Sequence, residues 1–270
     1  MTRQFLAIPV GTFLIVSFLL FPSSARTNPD NPQVQPPGPA TAAQSQKLSE
    51  EELARLYLVR KQYREAQDLF YKLTQEQPKN AVYWNELGIS FHNQIELAAA
   101  LKCYQKSAKL NSKYADAQNN IGTIWYERKK YNKAIRAYKR ALTLRQDFAP
   151  FYVNLGYAYF GAKNYEDSIS AFRKALNIDP EALDTSRSRS GTVIQDRSLA
   201  SDRAQFYFLL AKSFAQAGNV DRCVIYLRKA KDEGYKDLNA VKSDPAFAAV
   251  LKDPAIQEII APRPVEAAEP

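Results

Sequence analysis

Residues 149–182 read APFYVNLGYAYFGAKNYEDSISAFRKALNIDPEA, and their pattern recurs upstream at a fixed interval. A glycine occupies the same place in three successive copies, 34 residues apart: Gly88, Gly122 and Gly156. A small residue comes twelve positions after each glycine, and an aromatic residue comes sixteen positions after it: Ala100, Ala134 and Ser168, then Tyr104, Tyr138 and Phe172. Self-similarity at a fixed period of this length indicates an array of repeated helical pairs.

Five copies of this pattern can be placed in register, three strong and two weak. They cover the ranges 47–80, 81–114, 115–148, 149–182 and 204–237. The eighth and twentieth positions are expected to face each other where two antiparallel helices cross, which leaves room only for small side chains. The aromatic residues at the eleventh and twenty-fourth positions are expected to fill the gaps between successive pairs. Because a single pair has no closed core, its stability depends on stacking against its neighbours.

The pattern resembles that of the tetratricopeptide repeat family. The fourth copy carries eight of the family's preferred residues: Tyr152, Leu155, Gly156, Tyr159, Ser168, Phe172, Ala175 and Pro180. The resemblance implies an all-α fold, a right-handed superhelical array of about five antiparallel helix pairs followed by C-terminal capping helices. It also implies a non-catalytic scaffold that binds other proteins. Bacterial members of the family often carry an Asp-Pro-x-Phe segment after the last repeat, and this chain has one at 244–247.

The N-terminus has the layout of a secretory signal. The segment 1–3 is positively charged, 5–21 is largely apolar, and small residues precede a predicted cleavage after Ala25. A proline-rich linker is predicted over 26–46, since this composition cannot bury a core. Export to the periplasm or cell envelope is therefore expected, with retention by an uncleaved N-terminal anchor as the alternative.

The end of the chain is predicted to cap the array. Asp244-Pro245 and Asp253-Pro254 each have the form of a helix N-cap followed by proline at the first helical position. Capping helices are therefore expected over 238–260, where apolar residues recur at helical spacing. The remaining residues, 261–270, are expected to form a disordered tail.

A concave groove along the first helices is the partner site that the family resemblance implies. The candidate residues are Asn85, Ile89, His92, Asn119, Asn120, Thr123, Tyr126, Asn154, Tyr157 and Phe160. Equivalent positions are held by Asn93, Glu127 and Val153. Asparagine offers a donor and an acceptor to a peptide backbone, and aromatic rings offer rigid apolar area. A protein or peptide partner is thus expected here; the alternative is that the asparagines are consensus residues without a ligand.

The family's two-carboxylate clamp, which captures acidic C-termini, is not expected in this chain. The clamp needs lysine, arginine and asparagine at set first-helix positions of three consecutive repeats. Read from the second repeat, only Asn120 matches that set. A partner would have to be recognised by other contacts.

The basic residues suggest a second kind of partner. The chain has a formal net charge of +9. Cations cluster in the turn and second helix of the third repeat: Arg128, Lys129, Lys130, Arg136, Lys139 and Arg140. The insertion 183–203 adds an SRSRSG segment at 186–191. One interpretation is contact with an anionic envelope polymer or membrane surface; the other is a solvated face and a simple surface loop.

Neither catalysis nor a cofactor is indicated. The sequence has no glycine-rich phosphate loop, no His-Glu-x-x-His motif and no nucleophile elbow. Its one histidine is His92, and its cysteines, Cys103 and Cys223, fall in different repeats too far apart for a disulfide. RNA-reading repeats of similar length lack the small-residue crossing seen at Gly122 and Ala134. The chain is therefore predicted to be a non-enzyme without metal, cofactor or nucleic-acid partner.

Overall fold

The structure is a computed structural model that describes residues 48–183 and 202–261. The predicted signal, the linker, most of the insertion and the predicted tail beyond Ala261 lie outside the described residues. No helix within the described ranges is both long and apolar enough to cross a bilayer.

The described chain consists of helices that follow one another in antiparallel pairs. The first four pairs are α1 (Glu50–Val59) with α2 (Tyr63–Glu76), α3 (Ala81–Asn93) with α4 (Leu97–Leu110), α5 (Ala115–Glu127) with α6 (Tyr131–Leu144), and α7 (Ala149–Gly161) with α8 (Tyr165–Ile178). The fifth pair and the end of the chain comprise α9 (Arg203–Gln216), α10 (Val220–Asp232), α11 (Ala240–Ser243), a 3₁₀ turn (Pro245–Phe247) and α12 (Pro254–Ile260). The described residues contain no strand, and the predicted all-α array of antiparallel helix pairs is confirmed.

The turn inside each helix pair contains one residue with left-handed backbone geometry. This residue is the fifteenth of every repeat, and its φ angle lies between 55° and 72°: Lys61, Ile95, Lys129, Lys163 and Gly218. Glycine adopts this conformation freely, whereas other residues do so at a cost of about 1–2 kcal/mol. The turn therefore ends the first helix sharply and returns the chain antiparallel beside it.

The repeat glycines lie against aromatic rings of their own helix pair. The pairs are Gly88 with Tyr104, Gly122 with Tyr138, and Gly156 with Phe172. A Cβ atom added to Gly122 would lie 2.6 Å from Cε1 of Tyr138. The ring at the twenty-fourth position therefore also limits the size of the eighth residue, alongside the small residue at the twentieth position. Phe172 also contacts Phe206 of the following pair, so the ring at this position lies in the crossing and faces the next pair as well.

The small residues at the twentieth position still belong to this crossing. Ala100, Ala134 and Ser168 are fully buried. The Ser168 hydroxyl donates a hydrogen bond of 2.8 Å to the carbonyl oxygen of Gly156. A larger side chain here would push the second helix away from the first, so the ring and the small residue act together.

Phe206 joins the fifth helix pair to the fourth. Its ring lies 5.5 Å from Tyr157 in a stacked arrangement and 5.1 Å from Phe160 edge to face, measured between ring centroids. It also lies 6.2 Å from Phe172. Four aromatic rings from α7, α8 and α9 thus form one cluster, although the insertion separates α8 from α9 in sequence.

The two Asp-Pro segments both begin helical turns that close the end of the array. The carboxylate of Asp244 accepts a hydrogen bond of 2.9 Å from the backbone N–H of Ala246, and Asp253 accepts one of 2.9 Å from Ala255. The first segment starts a 3₁₀ turn rather than an α-helix. Phe247 and Ile256 are fully buried, so these turns cover the apolar end of the fifth pair.

Candidate partner-binding face

Most of the predicted groove residues are buried inside the array. The buried ones are Asn85, Asn119, Asn120, Thr123, Tyr126, Asn154, Tyr157 and Phe160. Only Ile89 and His92 of the ten keep part of their surface accessible. The prediction that all ten line an open groove is therefore wrong, because the first helices of successive repeats pack directly on one another through these side chains.

Four asparagines form a buried chain of hydrogen bonds across three repeats. The Asn154 amide donates to the Asn119 oxygen at 2.8 Å, and the Asn119 amide donates to the Asn120 oxygen at 3.3 Å. The Asn120 amide then donates to the Asn85 oxygen at 3.0 Å. These contacts connect α7 to α5 and α5 to α3. Each inter-helix link joins residues 35 apart, so it pairs the fifth position of one repeat with the sixth of the next.

This asparagine chain serves the stacking of repeats rather than a ligand. Asn154 and Asn119 are 0% and 1% exposed. Buried amides cost free energy unless they are hydrogen-bonded, and a satisfied buried network specifies one arrangement of its neighbours. The chain therefore sets the register between first helices. A repeat slipped along its neighbour would leave these amides unpaired.

The aromatic candidates are likewise engaged within the protein. Tyr157 and Phe160 pack in the cluster around Phe206, and the ring of Tyr126 lies 5.4 Å from that of Tyr131. The burial of Tyr157 and Phe160 could not be predicted from the sequence, because Phe206, the residue that covers them, comes from the weak fifth copy. Phe206 lies two residues from the start of that copy and matches none of the family's preferred positions.

An accessible patch remains on the first helices of the second and third repeats. It consists of Ile89, His92, Asn93 and Glu127, which we call the His92 patch. The His92 Nε2 and Glu127 Oε1 atoms lie 2.8 Å apart and connect α3 to α5. The His92 Nδ1 atom lies 3.4 Å from the Tyr104 hydroxyl. The patch thus combines a carboxylate, an amide and apolar surface at one repeat junction.

The stability contribution of the asparagine chain can be measured with a double-mutant cycle. Asn119→Ala and Asn154→Ala are each expected to lower the free energy of unfolding by about 1–3 kcal/mol, because each leaves a buried amide without its partner. The double variant is expected to lose less stability than the two single variants added together, by about 0.5–3 kcal/mol. Chemical denaturation checks this, with exposed Asn177→Ala on α8 as the control. Additive costs would show that the two amides do not interact.

The predicted basic residues form a second accessible surface. Five cations surround the turn between α5 and α6: Arg128, Lys129, Lys130, Lys133 and Arg136. We call this set the basic corner. Lys139 and Arg140 lie further along α6 and are exposed. A hydrogen bond to Tyr159 raises the pKa of Lys139, so this side chain remains positively charged at neutral pH.

The cysteines have the environment of packing residues. Cys103 and Cys223 are both free and buried. Burial raises the pKa of the Cys103 thiol to about 11 and that of Cys223 to about 12. Since the thiolate is the reactive form, both thiols are unreactive near neutral pH. Among the described residues no cluster of three histidine, cysteine or acidic side chains could hold a metal ion.

Comparison with known families agrees with this architecture. Tetratricopeptide repeat models match residues 51–115 and 149–182, and a TPR repeat model matches 122–163. The chain is thus a tetratricopeptide repeat protein. Proteins of this kind are generally protein–protein interaction modules and typically lack catalytic activity. No curated protein sequence matches the chain significantly.

Several solved structures share the fold at low sequence identity. PilF of Pseudomonas aeruginosa is 19% identical, over 78% of this chain and 86% of that one, with a TM-score of 0.50. MamA from Desulfovibrio magneticus RS-1 is 18% identical, over 68% of this chain and 92% of that one, with a TM-score of 0.49. The first TPR of Spaghetti (RPAP3), bound to an HSP90 peptide, is 21% identical over 39% and 86%, with a TM-score of 0.38. At this identity the similarity to PilF shows the fold alone, and nothing further is concluded from the other two structures.

Proposed function

We propose that this protein is a non-catalytic scaffold of the cell envelope that binds a protein or peptide partner on the first-helix face of its array. The observation that carries the proposal is the His92 patch, because it is the part of the predicted first-helix groove that remains accessible on α3 and α5. The envelope location rests on the signal-like segment 1–25.

The chemistry of the His92 patch suits a segment with hydrogen-bond donors beside an apolar side chain. The Glu127 side chain is 38% exposed and carries a second acceptor oxygen beyond the one that faces His92. Ile89 supplies neighbouring apolar area, and apolar contact gains about 25 cal/mol for each Å² removed from water. A backbone N–H, lysine or arginine of the partner would therefore bind Glu127 while an apolar residue covers Ile89.

Site-specific photocrosslinking in the native host tests this proposal. A photoreactive residue at exposed Asn93 is expected to give a discrete adduct with a partner in the envelope fraction, because Asn93 borders the patch. As the matched control, the photoreactive residue is placed at Lys102, which is exposed on α4. This position is expected to give no adduct. The adduct should disappear when Ile89→Asp places a charge on the apolar contact.

Two results would contradict the proposal. Equal adducts from both positions would show that the His92 patch is not the contact surface. Recovery of the chain in the cytosolic fraction would exclude the envelope location while leaving the patch untouched.

A second candidate function is binding of an anionic envelope polymer or membrane surface. The basic corner supports it, and the SRSRSG segment at 186–191 adds further cations in the sequence. Binding through exposed cations weakens as salt screens them, whereas contact at the His92 patch depends mainly on Ile89 and Glu127. Capture that survives Ile89→Asp but is lost in high salt would favour this second function over the first.

A further inference from the structure

The basic corner borders an open surface cavity between two successive turns. The cavity has a volume of about 420 Å³ and is lined by Lys129, Lys130, Lys133 and Arg136, with the uncharged side chains of Tyr131, Asn132 and Ala162. Ala162 belongs to the turn after α7, so the third and fourth repeats both contribute to the wall. Cavities of roughly 300–1,000 Å³ are the size that holds small ligands.

The cations of the corner have no ion-pair partner among the residues that the structure describes. Within residues 48–183 and 202–261, none of the five forms an ion pair with a carboxylate. Some cations elsewhere do: Arg145 pairs with Asp116 at 2.7 Å, and Lys212 pairs with Asp244 at 3.0 Å. Like charges held together repel, so an anion entering the cavity would relieve that repulsion.

The start of α6 strengthens the attraction for an anion. The other second helices of the array carry a carboxylate at their start: Glu65 in α2, Glu96 before α4, Glu166 and Asp167 in α8, and Asp221 in α10. Helix α6 instead begins after Lys130 and has no acidic residue in its first turn. Because the positive end of a helix dipole favours negative charge, these lysines are placed where cations are disfavoured unless an anion joins them.

We infer that the cavity of the basic corner is a binding site for a phosphate-bearing molecule. A phosphate group carries about 1.5–2 negative charges near neutral pH and three strong acceptor oxygens, which matches several cations converging on one cavity. Arginine binds such a group through two parallel hydrogen bonds, and lysine binds it as a point charge. The inference gives the second proposed function, on which it rests, a discrete site and a ligand class.

Trp125 provides a spectroscopic reporter beside this site. The Lys133 Nζ atom lies 4.4 Å from the Trp125 ring centroid, and the Arg128 guanidinium carbon lies 5.6 Å from it. A ligand that draws these cations toward the cavity changes the field at the indole ring. The sequence contains only one other tryptophan, Trp84, so a Trp84→Phe background isolates the signal.

Titration with pyrophosphate at constant ionic strength tests the inference. In the Trp84→Phe background we expect a saturable change in Trp125 fluorescence and a rise in the melting midpoint, because a ligand that binds only the folded state stabilises it. Acetate at the same ionic strength should change neither the fluorescence nor the melting midpoint.

A triple variant tests the lining residues. Lys129→Gln/Lys130→Gln/Arg136→Gln keeps the reporter contact of Lys133 and should weaken pyrophosphate binding at least tenfold. The charge-matched control Lys102→Gln/Lys109→Gln/Lys113→Gln, exposed in and after α4, should bind as before.

Different results would reject the phosphate site in the basic corner and the proposed membrane-surface function. An unsaturable response, or equal losses in the two triple variants, would overturn the discrete site. Sedimentation with phosphatidylglycerol–phosphatidylcholine vesicles forms the second arm. Pyrophosphate binding without vesicle binding would identify a soluble phosphorylated ligand and end the membrane-surface proposal alone. Vesicle binding that persists in the basic-corner variant, without pyrophosphate binding, would leave the surface function and reject the site.

Discussion

Gly122→Leu is expected to lower the free energy of unfolding by about 3 kcal/mol or more, the upper end of what overpacking usually costs. The new Cβ would lie 2.6 Å from the ring of Tyr138, and that ring is itself fully buried. The Tyr138 hydroxyl donates to Thr123 at 3.2 Å, which further holds the ring in place. Leucine favours a helix over glycine by about 0.8–1 kcal/mol, which is too little to offset the clash. Thermal and chemical denaturation measure the change.

The matched control for this variant is Ala98→Leu, which adds a leucine at an exposed site on α4. It is expected to change stability by no more than about 0.5 kcal/mol. A second variant, Gly122→Leu/Tyr138→Ala, removes the ring and is expected to recover part of the loss. An unchanged melting midpoint for Gly122→Leu would reject both the register of the repeats and the role of the ring.

Phe206→Ala is expected to cost about 3–5 kcal/mol, the usual range for deleting a buried phenylalanine. The ring is the shared neighbour of Tyr157, Phe160 and Phe172, so its loss leaves a cavity between the fourth and fifth helix pairs. Repeat arrays are stabilised by interfaces between neighbours. We therefore expect α9 and α10 to open while the earlier pairs remain folded.

Hydrogen exchange resolved along the chain distinguishes this local opening from general loss of stability. Amides of α9 and α10 should exchange faster in Phe206→Ala, while those of α5 and α6 keep most of their protection. Tyr71→Ala on α2 is the control, since Tyr71 is 57% exposed and should shift stability by no more than about 0.5 kcal/mol. Uniformly faster exchange in every helix would show that the array unfolds as one unit and that Phe206 has no local role.

The helix pairs could be predicted because the requirements that form them are local and recur. Glycine at the eighth position and an aromatic ring sixteen residues later meet within one pair, so the three strong copies repeat the same pattern. The Asp-Pro segments are equally local, since Asp244 and Asp253 accept bonds from backbone groups two residues on. The weak fifth copy could be recognised for the same reason, although its contacts with the fourth helix pair could not be predicted.

The candidate site could not be predicted in the same way. It depends on contacts between neighbouring repeats, and the spacing of residues within one repeat does not encode those contacts. Asn119 and Asn154 have the residue types expected of a peptide groove, and only the approach of α7 to α5 joins their amides. Likewise, Phe206 has no repeat signature, yet it covers Tyr157 and Phe160.

The amino-acid sequence by itself determined the helix pairs and their order, because these depend on local backbone preferences and a fixed period. The tertiary structure decided which first-helix side chains remain accessible, because burial is set by neighbours one repeat away. It left the His92 patch accessible between α3 and α5, and it brought the turn of the fourth repeat beside the basic corner of the third. Both candidate sites therefore lie at junctions between repeats, where neighbouring helices meet.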